Sequence, residues 1–208
     1  MATSSLSKRL WILLCLALVM SPRVAAQDGG AGADETLSGT VQSSGGYGGP
    51  TVAVTSVNGE AALLAGGQGG WILNRRFVIG AAGRGLVTLP DTEFGEQSAQ
   101  IQMGYGGLLL EYIGAPAELV HYGLGIVVGG GIAQIVDLPF DPQVDGDLDQ
   151  SGVFVAEPGA RLEVNVTSYF RLGVGGGYRL VRGSDLRTVS NGDLSGLYSR
   201  LSLRFGSF

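Results

Sequence analysis

Sulfur, lysine and long apolar stretches are nearly missing from this chain. One cysteine, Cys15, and one lysine, Lys8, both fall in the first twenty residues, and a single histidine, His121, is present. Without further cysteine the rest of the chain has no disulfide and no thiolate metal site. The longest apolar run, Leu10–Met20, falls well short of the roughly 20 residues that a membrane-spanning helix needs. It follows Lys8 and Arg9 and precedes Pro22 and the small-residue site Val24-Ala25-Ala26. Residues 1–26 therefore read as a secretory signal cleaved near Ala26. Losing Lys8, Arg9 and Arg23 with it shifts the net charge from −5 to −8, with every remaining basic side chain an arginine. Nucleic acid and anionic lipid surfaces require clustered positive charge, so the balance argues against both as partners.

Glycine is the residue in excess, with 37 in 208 positions. From Gln27 to Gly49 it mixes with Ser, Ala and acids and hardly any large apolar side chain, a composition that cannot build a core. This segment is expected to be a flexible leader, with the folded domain spanning 50–208. Seven stretches between Thr51 and Ser207 then alternate apolar with small or polar residues. Leu162, Val164 and Val166 share one parity against Arg161, Glu163 and Asn165. Phe170, Leu172, Val174 and Tyr178 oppose Arg171, Gly173, Gly175, Gly177 and Arg179. Leu197, Leu201, Leu203 and Phe205 oppose Tyr198, Arg200, Ser202 and Arg204.

A water-soluble barrel turns its apolar parity to the core, whereas a membrane barrel turns it to lipid and keeps glycine and charge for the lumen. An arginine on the lipid face costs about 2–4 kcal/mol at the midplane. Several of them would rival the total stability of a domain, about 5–15 kcal/mol, so the arginines are expected to point inward. The fold expected is an all-β, eight-stranded antiparallel up-and-down transmembrane β-barrel. Its strands are placed near 51–57, 60–73, 77–88, 97–113, 119–136, 152–166, 170–183 and 195–207. Connections at Asn74–Arg76, Gly114–Glu118 and Thr167–Tyr169 are short, and those at Leu89–Glu96, Asp137–Ser151 and Gly183–Leu194 are longer. This is the asymmetry between periplasmic turns and external loops, with an Asn58-Gly59 hairpin as a tight exception on the outer side. Trp71, Phe77, Tyr112, Tyr122, Tyr169, Phe170 and Phe205 cluster beside the short turns, as an interfacial girdle would. One strand resists the alternation. In 97–113, Ile101, Met103 and Tyr105 share the parity of Glu111, and a bulge at Gly106-Gly107 is expected to re-aim one half.

The expected lumen residues are Arg84, Glu111, His121, Glu157, Arg161, Glu163, Arg171, Arg179, Arg200 and Arg204. With Thr167–Tyr169 as a turn, Glu157 falls opposite Arg179; a turn centred on Pro116 sets Glu111 opposite His121. An eight-stranded interior is just filled by side chains, so a closed ionic plug is expected, with a selective pore as the alternative. Glu111 and His121 also suggest a lipid hydrolase of the envelope, but such chemistry meets lipopolysaccharide in the outer leaflet, while His121 lies by a periplasmic turn. The loop Asp137–Gln150 carries Asp145, Asp147 and Asp149 at calcium-loop spacing. Counting from Asp145, however, Gln150 and Ala156 stand where an EF-hand needs Gly and Glu. A solvated acidic loop is the simpler reading, with divalent ions shared with lipopolysaccharide as the alternative. The clusters Gly66–Gly70, Gly129–Gly131 and Gly175–Gly177 lack a strand-to-helix context for phosphate binding and are expected to make room for lumenal Tyr and Arg side chains.

The segments GGQGGWILNRRFVIGAAGRGL (66–86), YGGLLLEYIG (105–114), VAEPGARLEVNVTSYFRLGVGGGYR (155–179) and DLSG (193–196) resemble a family of uncharacterised bacterial outer-membrane β-barrel proteins of the small eight-stranded type. The resemblance implies fold and location without an activity. The apolar parity of the last strand stops at Phe205 rather than at terminal Phe208, so Phe205 is expected to take the place of the usual terminal aromatic in assembly. The expectation is thus a monomer in the cell outer membrane with a structural or surface-interaction role and no cofactor. Its partners would be outer-membrane lipid, lipopolysaccharide and the barrel-assembly machinery. A narrow solute channel is the second reading and a lipid-modifying enzyme the third.

Overall fold

The computed structural model describes residues 43–94, 97–137 and 147–208. The segment expected to be a signal, most of the expected leader, and residues 138–146 of the expected acidic loop lie outside the described residues. The strands are β1 (Ser44–Val57), β2 (Glu60–Leu73), β3 (Phe77–Leu86), β4 (Asp91–Phe94), β5 (Gln97–Gly114), β6 (Val120–Asp137), β7 (Asp147–Asn165), β8 (Phe170–Arg182) and β9 (Gly196–Ser207). All pair antiparallel with their neighbours, β1 closes on β9, and β3 and β4 both pair with β5. β3 and β4 are two pieces of one stave interrupted at 87–90, so the molecule is a closed eight-stranded barrel.

Closure removes every sheet edge, which is what a strand-built protein needs in hydrocarbon. The sidedness follows the alternation. Leu172, Val174, Leu162 and Leu201 are exposed on the outer wall, while Arg161, Arg179 and Arg204 are 4%, 0% and 1% exposed inside. An exterior this apolar around a charged interior is the outer-membrane type of barrel. At the short-turn end, Trp71 and Tyr169 are exposed, Phe77 packs tilted against Tyr112 with centroids 5.6 Å apart, and Phe170 stacks on Phe205 at 4.8 Å. Phe205 thus lies on the outer wall. Phe208, of opposite parity, turns inward and packs against Tyr47, Ile72, Val78 and Ile113.

Four expectations are corrected. β1 begins at Ser44, so the last residues assigned to the leader are barrel wall. β7 begins at Asp147, and the loop expected at 89–96 contains β4. β5 has no bulge at Gly106-Gly107: its register against β6 runs unbroken from Ala99 to Gly114, and Ile101, Met103 and Tyr105 are buried inside like Glu111. The interruption of register falls instead at Ile135/Val136, between β6 and β7. The expected bulge assumed one environment along the whole lumen, whereas its long-loop half is apolar. Ile101, Met103, Ile135, Val153, Val155 and Val181 form a core there with Leu186, Val189 and Leu194 from the β8–β9 loop.

That loop is held as a roof. The Asp185 and Arg187 amides donate to Ser151 Oγ (2.9 Å) and Asp149 Oδ2 (2.8 Å), and Asn58 N–H donates to the Asp193 carbonyl (2.8 Å). Asn58 and Gly59 themselves take positive φ (52° and 79°), the tight hairpin their dipeptide encodes.

Candidate functional site

The charged layer of the lumen lies between the apolar core at the long-loop end and the Phe208 cluster at the short-turn end. Alternation delivers one inward side chain every second residue from each strand, and glycine opposite a long side chain leaves it space. A Cβ on Gly123 would overlap the Arg161 guanidinium, and one on Gly159 or Gly177 the Tyr198 hydroxyl. The glycine clusters around Gly175–Gly177 therefore serve the steric role expected of them.

Glu111 is the centre of the layer. Arg161 donates to it through Nη1 and Nη2 at 2.8 and 3.2 Å, Arg204 through Nη2 and Nη1 at 2.8 and 3.0 Å, and the Tyr47 hydroxyl at 2.8 Å. Both guanidiniums meet the carboxylate as forks, the strongest geometry for this pair. Arg161 Nε also donates to Glu163 at 2.8 Å, and Arg204 Nε lies 3.4 Å from the other Glu163 oxygen. Arg204 stacks over the Tyr47 ring at 4.2 Å, and Gln68, with its amide oxygen turned inward, accepts from Arg204 at 2.6 Å. A second pair joins Arg84 to Glu157, which also accepts from the Tyr105 hydroxyl.

The two ion pairs expected from turn geometry do not form. The β7–β8 register is the one expected, with Ala156 opposite Leu180 and Gly159 opposite Gly177, which flank Glu157 and Arg179. The Arg179 side chain nevertheless runs to the roof, donating to the carbonyls of Leu194 (2.8 Å) and Ser56 (3.2 Å). Glu111 faces Gly125, not His121. Tyr122 lays its ring where a Cβ on Gly114 would stand, pinning Gly114 opposite Tyr122 and lengthening the turn that begins at Ala115 with φ 51°. His121 faces Glu163 instead, with Nε2 3.7 Å from its carboxylate and 3.4 Å from Arg171 Nη1. Arg171 covers the Phe208 ring at 3.8 Å, and Arg200 the Tyr198 ring at 5.5 Å.

All ten residues expected in the lumen carry the inward parity. Tyr47, Thr51, Gln68, Tyr105 and Phe208 were not anticipated. Tyr47 fell in the stretch assigned to the leader, although it shares the parity of Thr51 and Ala53 and that signal was readable. A hydrolase needs a nucleophile beside its histidine; the polar side chains beside His121 are Arg171 and Glu163. Among the described residues no group of acidic, His or Cys side chains is arranged to hold a metal ion. Asp145 lies outside them, Asp147 opens β7, and Asp149 accepts the Arg187 amide.

No family model and no curated protein matches the chain. Solved structures with a similar outline include Neisserial surface protein A, at 17% identity over 79% of this chain and 96% of that one, with a TM-score of 0.49. The N-terminal β-barrel domain of Pseudomonas aeruginosa OprF matches at 14% over 77% and 96%, TM-score 0.46. The attachment invasion locus protein Ail of Yersinia pestis matches at 12% over 78% and 97%, TM-score 0.45. These are likenesses of outline; the barrel assignment stands on the closed strand order and register described above.

Proposed function

We propose that the chain is a monomeric, non-conducting barrel of the outer membrane, with a structural or surface-interaction role carried by its external loops. The observation that carries this reading is the layering of the lumen. Glu111 is clamped by Arg161 and Arg204 across the bore, and Leu186, Val189 and Leu194 roof it with apolar side chains buried to 7% exposure or less. Ions crossing this bore would have to break a buried, fully hydrogen-bonded pair and then a dry core, both costly. The partners consistent with the reading are outer-membrane lipid and lipopolysaccharide along the wall and the barrel-assembly machinery during insertion.

Planar-bilayer recording tests it. Purified protein inserted at high salt should leave the bilayer silent, and discrete conductance steps would overturn the plug. One observation favours the second reading, a narrow channel: inward arginines outnumber inward glutamates, so any steps would be expected to select anions.

A further inference from the structure

The outer wall carries one row of side chains that does not belong in hydrocarbon. Gln102 of β5 faces Gln134 of β6, which faces Gln150 of β7, and Gln134 Nε2 donates to Gln102 Oε1 at 3.1 Å. These glutamines have the outward parity of Leu108, Leu124 and Phe154, which are exposed on the wall. Below the row, every outward position of β5 and β6 down to Tyr112 and Tyr122 is apolar or glycine. Ten residues along β5 separate Gln102 from Tyr112 in the girdle. At about 3.3 Å per residue and a strand tilt of about 40°, the row stands about 25 Å above that girdle, the height of the apolar band. The carboxamides therefore lie where the outer leaflet passes from acyl chains to headgroups. Barrels of this type carry a second aromatic girdle at that level; on these three strands amides take its place.

Beside the row the wall has a niche of about 250 Å³. β3 pairs with β5 as far as Gly104 and β4 only from Gln100, so between them β5 has no strand facing it. Leu86, Leu89 and Met103 give the niche an apolar side, and Gln102, Gly104 and Gln134 line the rest. Gly104 is exposed, and a Cβ there would meet nothing nearer than the Arg84 carbonyl at 3.9 Å. Packing requires glycine at Gly107, where a Cβ would overlap the Val128 carbonyl, but not at Gly104. A strand glycine that no protein neighbour requires marks a place where a ligand can approach the backbone closely.

We propose that the niche holds one neutral sugar ring of an outer-leaflet glycolipid, an inference that deepens the membrane-barrel reading and rests on it. The C–H face of the ring would lie on Leu86, Leu89 and Met103, and its hydroxyls on the amides. The bond within the row uses Gln102 Oε1 and one Gln134 Nε2 proton, which leaves Gln102 Nε2 to donate and Gln134 Oε1 to accept. A hydroxyl is donor and acceptor at once and satisfies both. A phosphate only accepts, so Gln134 Oε1 would oppose it, and no arginine lines the niche to hold it. A volume of about 250 Å³ is near the lower end of small-molecule sites, about 300 Å³. It admits a ring and leaves the acyl chains in the leaflet below.

Phosphatidylcholine nanodiscs holding the full chain, with its glutamines isotope-labelled, provide the test. As monoglucosyl diacylglycerol replaces phosphatidylcholine, the side-chain amide resonances of Gln102 and Gln134 should shift and saturate. Diacylglycerol without the sugar, or phosphatidylglycerol, should leave them still. Gly104→Val fills the niche and keeps both reporters, and should raise the half-saturating fraction about tenfold or more, the equivalent of roughly one good hydrogen bond. Gln134→Leu, which suits the lipid-facing wall and keeps Gln102 as reporter, should do the same if Gly104→Val does not refold. An absent shift, an equal shift with phosphatidylglycerol, or an undiminished response in the variants would overturn the site while leaving the membrane reading standing. Free methyl glucoside acting at the same midpoint would overturn the glycolipid assignment. A chain that never enters the discs would overturn the membrane reading and the site with it.

Discussion

Glu111 carries more of the lumen than any other side chain, because two arginine forks and a tyrosine hydroxyl converge on it. Removing one partner of a buried charged pair costs about 3–5 kcal/mol, since the remaining cation is left unpaired. Glu111→Gln keeps the shape and removes the charge, so urea unfolding in micelles should show a loss of about that size. Glu118→Gln, in the exposed turn after β5, should stay within about 0.5 kcal/mol of wild type. Tyr47, Gln68 and Phe208 show where residue-level reading runs out. Parity says that a side chain points inward; only the closed bore says what it meets there.

The β8–β9 loop is the element whose behaviour the strand pattern least announces. Ser190 donates to Asp193 Oδ2 through its amide at 2.9 Å and its hydroxyl at 2.7 Å. These two bonds favour the ionised form and hold the Asp193 carboxyl below the ordinary aspartate value. A depressed folded pKa contributes stability that is present above the unfolded value and lost as pH falls through the folded one. The amide chemical shifts of residues 184–194 should therefore stay constant at neutral pH and move together on acidification below the usual carboxylate range. Asp193→Asn should remove that transition. Arginine geometry reinforces the roof from below, since Arg179 reaches past Glu157 to the Leu194 carbonyl. The expected Glu157–Arg179 pair failed for that reason: the register was right, but the long side chain had a better partner outside its strand pair.

At the scale of the whole molecule, the apolar wall decides the solvent. Val174 is 53% exposed in the middle of β8. Val174→Arg should cost about 2–4 kcal/mol in lipid, reducing the yield of barrel refolded into vesicles, whereas Val174→Ile should be neutral. A barrel built for water would accept that arginine within about 0.5 kcal/mol, so equal refolding of the two variants would overturn the membrane reading. The layered lumen, apolar at both ends and ionic between, is also a property of the whole. Ile101, Met103 and Tyr105 looked like a break in the alternation of β5, yet they continue it into a different layer.

Strand count, sidedness and the β7–β8 register were determined by the chain alone, because alternation, turn chemistry and the cost of burying charge in lipid all act between near neighbours. The partners of Glu111 and Arg179, the offset that sets His121 against Glu163, and the loop folded over the bore were decided only by closure. They join residues far apart in the chain, whose distances no local rule constrains until β1 meets β9.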